Sequence, residues 1–217
     1  MDNQELFLKD KIESIEQYQF YARATMPDLG SLEKNVLHMH MGIITEVGEL
    51  ADAYKKKFAY GKALDITNVS EEWADVMWYI AGLQHLTKKF TFEVLNPIRQ
   101  SPQTWGTLFG NDNDETLVSI RAVNAFSYSL YGTRGFNYFF NFWMYVGERL
   151  GIDMMQALTN NINKLHFRYK GKFDEYLAQN RDLDTERKIL EKNSTIHELD
   201  LEKFVELDVV KKVSNLV

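Results

Sequence analysis

The sequence predicts an all-α protein, on one observation about composition and two about periodicity. Only 3 prolines and 12 glycines interrupt the 217 residues, and few runs alternate between apolar and polar residues as strands do. Apolar residues recur instead three and four positions apart over long stretches, which is typical of helices with a buried face. With 45% hydrophobic and 13% aromatic residues, the chain can bury a sizeable core as one domain, residues 1–217.

Turn and capping residues divide this pattern into eight predicted helices. Ser31 can cap the second helix, and Gly61 ends it, as glycine commonly does. Asn68 or Ser70 can cap the third helix, and Asp153 can cap the sixth. The predicted helices span about residues 8–24, 32–58, 70–88, 115–131, 136–150, 154–169, 184–192 and 199–213.

Charge and cysteine usage exclude several classes of function. The net charge of −6 gives no general affinity for nucleic acid or for anionic membrane. The chain has no cysteine, so it has neither a disulfide framework nor thiolate chemistry. No apolar run is long enough to span a bilayer, and the polar first residues lack a signal-peptide pattern. We therefore expect a soluble protein of a reducing compartment, located in the cytoplasm.

Two pairs of carboxylates, Glu46 with Glu49 and Glu72 with Asp75, lie three residues apart on consecutive predicted helices. Residues at this spacing share a helix face. A single such pair is usually solvated, but apolar residues flank both pairs, which favours partial burial. Four converging carboxylates repel one another unless a cation joins them. Because hard divalent cations prefer oxygen ligands, the pairs predict a site for Mg²⁺, or alternatively Mn²⁺.

Phosphate oxygens are natural partners of such an ion, so cationic residues are expected nearby. Lys56 lies two helical turns after Glu49 and shares its face. Asn161, Lys164 and Arg168 form a polar stripe on the sixth predicted helix. The alternative explanation of this stripe is a solvated basic face.

Taken together, these segments resemble the MazG-like nucleoside triphosphate pyrophosphohydrolases. Residues 42–56 carry an E-x-x-E motif, residues 72–79 carry E-x-x-D, and residues 161–169 match N-x-x-K-L-x-x-R-Y. Residues 181–187 are also similar to the tail of phage and bacterial members. The resemblance covers about residues 8–86 and 145–190.

The resemblance implies a four-helix-bundle-like core at residues 8–89 and 145–190, an aromatic-rich helical insertion at about 90–144 and a C-terminal helical extension at about 191–217. It implies hydrolysis of a nucleoside or deoxynucleoside triphosphate to the monophosphate and pyrophosphate, in a bacterial or phage-infected cell. Core helices of this family pair across subunits, which implies a homodimer or homotetramer.

Roles for individual residues follow from the same resemblance. Glu46, Glu49, Glu72 and Asp75 would be Mg²⁺ ligands and the catalytic carboxylates, with Glu49 as the general base. Tyr79 and His38 would lie beside the nucleotide. Lys164 and Arg168 match positions linked to phosphate binding.

Alternative functions remain open at this point. One is a dedicated dUTP or dCTP pyrophosphatase, and another is a non-catalytic nucleotide-binding or regulatory protein on the same fold. A ferritin-like di-iron site is disfavoured because the sequence contains no E-x-x-H motif. Aromatic residues between the two core segments could stack on a base, although core packing or an interface is the commoner role. These residues are Trp105, Phe109, Phe136, Tyr138, Phe139, Phe140 and Trp143.

Overall fold

Within residues 11–88, 113–130, 132–170 and 172–191, which the computed structural model describes, every regular element is a helix, and the all-α prediction is confirmed. Helix α4 consists of three consecutive segments, and the middle one is a π-helical turn. The helices are α1 (Ile15–Ala22), α2 (Leu32–Tyr60), α3 (Ile66–Thr87), α4 (Asp114–Thr116, Leu117–Arg121 and Ala122–Ser129), α5 (Thr133–Arg149), α6 (Met154–Tyr169), α7 (Glu175–Gln179) and α8 (Leu183–Glu191).

Three helix ends form as the sequence predicts. The Ser31 side chain accepts a hydrogen bond from the Lys34 amide at the start of α2. The Asp153 side chain does the same for the Gln156 amide at the start of α6. Gly61 ends α2 with a φ of 63°, a left-handed conformation that costs glycine little. These local signals therefore place both helices correctly.

The start of α3 differs from the prediction. Its cap is Asp65, whose carboxylate accepts from the Asn68 amide, so neither Asn68 nor Ser70 is the cap. Helix α5 also begins earlier than predicted, at Thr133. It continues without a break through residue 145, so the boundary drawn there between insertion and core falls inside one helix.

Two tryptophans join α3 to α5. The Trp73 indole donates to the Trp143 carbonyl over 2.9 Å, and the Trp143 indole donates to the Trp73 carbonyl over 3.0 Å. Both rings are fully buried. Gly147 lies against Trp73, where an added Cβ would come within 2.8 Å of the ring. The reciprocal bonds and this close contact fix the distance between the two helices.

The aromatic residues of α5 mostly belong to the core. Phe136, Phe139, Phe140 and Trp143 are buried, whereas Tyr138 is 43% exposed. The four buried rings are thus unavailable for stacking on a nucleotide base. Trp105 and Phe109, the remainder of the insertion before residue 113 and the predicted helix at 199–213 lie outside the described residues.

Helices α2 and α3, joined by residues 61–65, pack closely together, and α6 packs on α3. This arrangement brings one face each of α2, α3 and α6 together around the predicted site. Among the described helices, none combines the length and apolar character that a bilayer span requires.

Candidate metal centre

Three of the four predicted carboxylates converge between α2 and α3. Glu46, Glu72 and Asp75 each offer an oxygen, and these oxygens lie within 4.8 Å of one another. Glu72 is only 5% exposed, and the other two are partly buried. The i, i+3 spacing on α3 places Glu72 and Asp75 on one face, and α2 presents Glu46 to that face. Three oxygens this close can ligate a single hard cation.

The electrostatics of the cluster favour such a cation. Burial, followed by the negative charge of Asp75, raises the pKa of both Glu46 and Glu72 above the ordinary carboxyl value. Their side chains hydrogen-bond to each other. In the metal-free protein this pair therefore holds a proton into the neutral range. A divalent cation can take the place of that proton and relieve the repulsion.

Glu49 does not join this cluster and is exposed to solvent. Its negative charge still contributes to the raised pKa of Glu46 and Glu72, so it lies close to them. Three residues correspond to about 300° around a helix, which turns Glu49 towards the solvent side of Glu46. The expected set of four carboxylates thus consists of three converging groups and one on the open side.

Lys164 is the positive counterpart of the cluster. Its ammonium group, with the residue 1% exposed, lies 2.6 Å from Asp75 Oδ2, 2.9 Å from Asp75 Oδ1 and 3.0 Å from Glu71 Oε1. Burial alone would lower the lysine pKa, but the charges of Asp75 and Glu71 outweigh it and raise the pKa. The alternative of a solvated basic face is therefore wrong for Lys164. Sequence reasoning missed Glu71 as its partner.

Asn161 lies one turn before Lys164 and also contacts Asp75. Its Nδ2 donates to Asp75 Oδ1 over 2.5 Å, while its Oδ1 accepts from the Tyr18 hydroxyl over 2.9 Å. Tyr18 is fully buried, and its hydroxyl also lies 3.3 Å from the Ala74 carbonyl. The sequence analysis did not identify Tyr18 as a residue of the site. Its polar role depends on a contact 143 residues away.

Arg168, the last residue of the predicted stripe, pairs with the buried Glu186 of α8 through two contacts of 2.7 Å. Arg181 also donates to Glu186 over 2.7 Å. Glu186 is 2% exposed. Burial opposes its ionisation, but the bonds from Arg168 and Arg181 prevail and lower its pKa. Both cations of the stripe are therefore ion-paired, and Arg168 joins α8 to α6.

An aromatic pair lies next to the carboxylates. Tyr79 follows Asp75 by one turn, and its ring meets the His38 ring edge to face at 5.7 Å. Gly42 precedes Glu46 by one turn, and a Cβ there would fall 2.1 Å from the Tyr79 ring. Burial, followed by the charges of Glu46 and Asp75, raises the Tyr79 pKa. Glycine at position 42 thus makes room for a half-buried tyrosine beside the cluster.

Lys56 lies near the C-terminal end of α2, two turns after Glu49 and on the same helix face. Its ammonium group lies 2.6 Å from Asp52 Oδ2, and Lys55 contacts the same carboxylate. Hydrogen bonds from these two lysines lower the Asp52 pKa to about 2. The Lys56 side chain is exposed to solvent, in contrast to the buried Lys164.

Comparisons of the chain with protein-family models, curated proteins and solved structures found no match.

Proposed function

We propose that this chain is a divalent-metal-dependent nucleoside triphosphate pyrophosphohydrolase, with Mg²⁺ as the ion and Mn²⁺ as an alternative. The observation that carries the proposal is the convergence of Glu46, Glu72 and Asp75 within 4.8 Å. The resemblance of their motifs to the MazG-like family supports the same function.

The donor set fits the proposed ion. All three groups are carboxylates, which hard cations prefer over nitrogen or sulfur ligands. When bound, Mg²⁺ supplies charge that neutralises phosphate oxygens and lowers the pKa of attacking water. The raised pKa of both Glu46 and Glu72 indicates that the cluster lacks positive charge.

Glu49 is the proposed general base. It lies on the open side of the cluster, where it can take the proton of a water molecule that attacks phosphorus. The oxygen of that water bonds to the α- or β-phosphorus, and the bond between these phosphates breaks. The products are the nucleoside monophosphate and pyrophosphate.

The nucleotide is proposed to lie along the face that carries Tyr79, His38 and Lys56. The two aromatic side chains offer a partly exposed surface to the base or sugar. Lys56 is the exposed member of the predicted phosphate-binding set. Lys164 and Asn161 support the ligand Asp75 in this proposal, instead of contacting phosphate directly.

Pyrophosphate release tests the proposal directly. Wild-type protein is incubated with Mg²⁺ and a panel of nucleoside and deoxynucleoside triphosphates, and chromatography separates monophosphate, diphosphate and pyrophosphate. Glu49→Gln should lower kcat by about 10²-fold or more, and Glu33→Gln, an exposed change near the start of the same helix, should leave it unaltered. Failure of the wild-type protein to release pyrophosphate from the whole panel would overturn the proposal, as would full activity of Glu49→Gln.

The base preference within the panel separates a dedicated dUTP or dCTP pyrophosphatase from a general enzyme. The ion pairs of Lys164 and Arg168 favour a further candidate, a nucleotide-binding protein without turnover, because they leave fewer cations for a transition state. That candidate predicts Mg²⁺-dependent nucleotide binding by calorimetry with no product formed.

A homodimer or homotetramer is part of the proposal. Leu37, Met41 and Ile44 lie at helical spacing on α2 and are 56–58% exposed. Exposed apolar stripes of this kind often mark subunit contacts. Light scattering on the purified protein measures the oligomeric state, and a monomer at micromolar concentration would contradict it.

A further inference from the structure

Asp75 is already held by three hydrogen bonds before any ion binds. Its Oδ1 accepts from Asn161 over 2.5 Å and from Lys164 over 2.9 Å, and its Oδ2 accepts from Lys164 over 2.6 Å. A carboxylate has about four acceptor positions, so these three hydrogen bonds leave about one position for a cation. The orientation of this carboxylate is therefore set by its neighbours.

We propose that Tyr18 is a positioning residue for the metal centre, whose hydroxyl acts through Asn161 to hold Asp75 in the orientation that binds the cation. This inference rests on the proposed metal-dependent function. Tyr18 is fully buried, so it cannot touch a nucleotide itself. Any effect it has on the site must pass through the groups that its hydroxyl contacts.

The asymmetry of the Asn161 amide explains why a hydroxyl is needed. Nδ2 can only donate, and Oδ1 can only accept. With Nδ2 facing Asp75, Oδ1 must find a donor on its other side, and the Tyr18 O–H provides it at 2.9 Å. A flipped amide would place Oδ1 against the Asp75 carboxylate, an acceptor facing an acceptor. The tyrosine hydroxyl thus selects the orientation in which Asn161 holds the metal ligand.

The protein environment keeps the hydroxyl in its donor form. A tyrosine hydroxyl is protonated at neutral pH, and burial, followed by the charge of Asp75, raises the Tyr18 pKa further above its usual value. The same hydroxyl lies 3.3 Å from the carbonyl of Ala74, the residue just before Asp75. Helix α1 thereby contacts the α3 backbone directly at Ala74 and the Asp75 side chain through Asn161.

Mn²⁺ binding by the wild-type protein and four variants tests the inference, with titration calorimetry giving Kd and electron paramagnetic resonance reporting the bound ion. Tyr18→Phe removes the hydroxyl and keeps the ring, and it should raise Kd by about 10–100-fold. Asn161→Leu should raise Kd at least as much. The double variant should match Asn161→Leu alone, because Asn161 is the proposed path from the Tyr18 hydroxyl to the Asp75 carboxylate.

Tyr54→Phe is the matched control. Tyr54 is also buried, but the charges that act on its hydroxyl are those of Asp114 and Glu115, and none of the three converging carboxylates is among them. Its variant should bind Mn²⁺ within about twofold of the wild-type protein. Equal losses in Tyr54→Phe and Tyr18→Phe would mean a general effect of core disruption and would overturn the inference.

Two further results would overturn it: a Tyr18→Phe protein that binds Mn²⁺ like the wild type, or a double variant in which the two losses add. A wild-type protein that binds no Mn²⁺ at all would overturn the proposed function as well, so the two failures are distinguishable. A second measurement does not depend on the folding of Tyr18→Phe. In the wild-type protein, nuclear magnetic resonance should show slowly exchanging Asn161 side-chain amide protons that shift when Mg²⁺ is added, and rapid exchange without a shift would refute the relay.

Discussion

Replacing Glu72 with glutamine should flatten the pH dependence of the stability of the metal-free protein. Burial, and then Asp75, raises the Glu72 pKa, and its side chain is hydrogen-bonded to Glu46. A carboxyl whose pKa is raised on folding contributes stability that is fully present below the unfolded value of about 4.3. This stability is lost as the pH rises through the folded value. Glutamine keeps the shape and the hydrogen bond but has no proton to release.

The expected magnitude follows from one proton held by the folded cluster and released by the unfolded chain. The free energy of unfolding then falls by about 1.4 kcal/mol for each pH unit. Between about pH 5.5 and about pH 7.5, the wild-type protein should lose up to ~2.7 kcal/mol relative to the Glu72→Gln variant. This is a large part of the stability of a typical domain.

Urea denaturation in the presence of a chelator, repeated on both proteins across this pH range, measures the difference. Burial lowers the pKa of the partly buried histidines His38 and His40, which adds an opposite slope. That slope should be common to both proteins and should cancel in the comparison. If the two stability curves run parallel, Glu46 and Glu72 do not hold an extra proton, and the account of the cluster is wrong.

Three other outcomes follow from the described contacts. Mg²⁺ at about 100 times its Kd should stabilise the wild-type protein by about 2.7 kcal/mol, and Asp75→Asn should abolish the shift in melting temperature. Gly42→Ala should lower the free energy of unfolding by about 1–3 kcal/mol because its Cβ would overlap Tyr79. Gly48→Ala, with open space around it, should be neutral or stabilising by up to about 1 kcal/mol, and chemical denaturation measures both variants. Glu186→Gln should lower the free energy of unfolding by about 3–5 kcal/mol because it leaves buried arginine charge uncompensated. In the wild-type protein the same stability should be lost only as the pH falls through the lowered pKa of Glu186, and thermal unfolding at low pH measures this loss.

Local patterns in the sequence were enough to predict the helices and the faces that meet at the site. Periodicity gives the helix, and i, i+3 spacing puts Glu72 and Asp75 on one face. The flanking apolar residues correctly indicated burial of Glu46 and Glu72. Glu49 differs because it lies further around α2 and is exposed to solvent, while its apolar neighbours in sequence, Val47 and Leu50, are buried.

The supporting contacts could not be predicted because they depend on how distant helices pack. Lys164 meets Glu71 across 93 residues, and Tyr18 meets Asn161 across 143. Nothing in the local pattern distinguishes Glu71 from an ordinary acidic residue in the first turns of a helix, where the dipole favours it. The cap of α3 was missed for a simpler reason: Asp65, Asn68 and Ser70 are all good capping residues, and spacing alone does not rank them.

The paired tryptophans have a consequence for the orientation of α3. Trp73 follows Glu72 directly, about 100° further around the helix, and its indole is anchored to the backbone of α5. Any roll of α3 about its long axis would tear both indole bonds away from their carbonyls. Helix α5 thus sets the angle at which Glu72 and Asp75 project from α3.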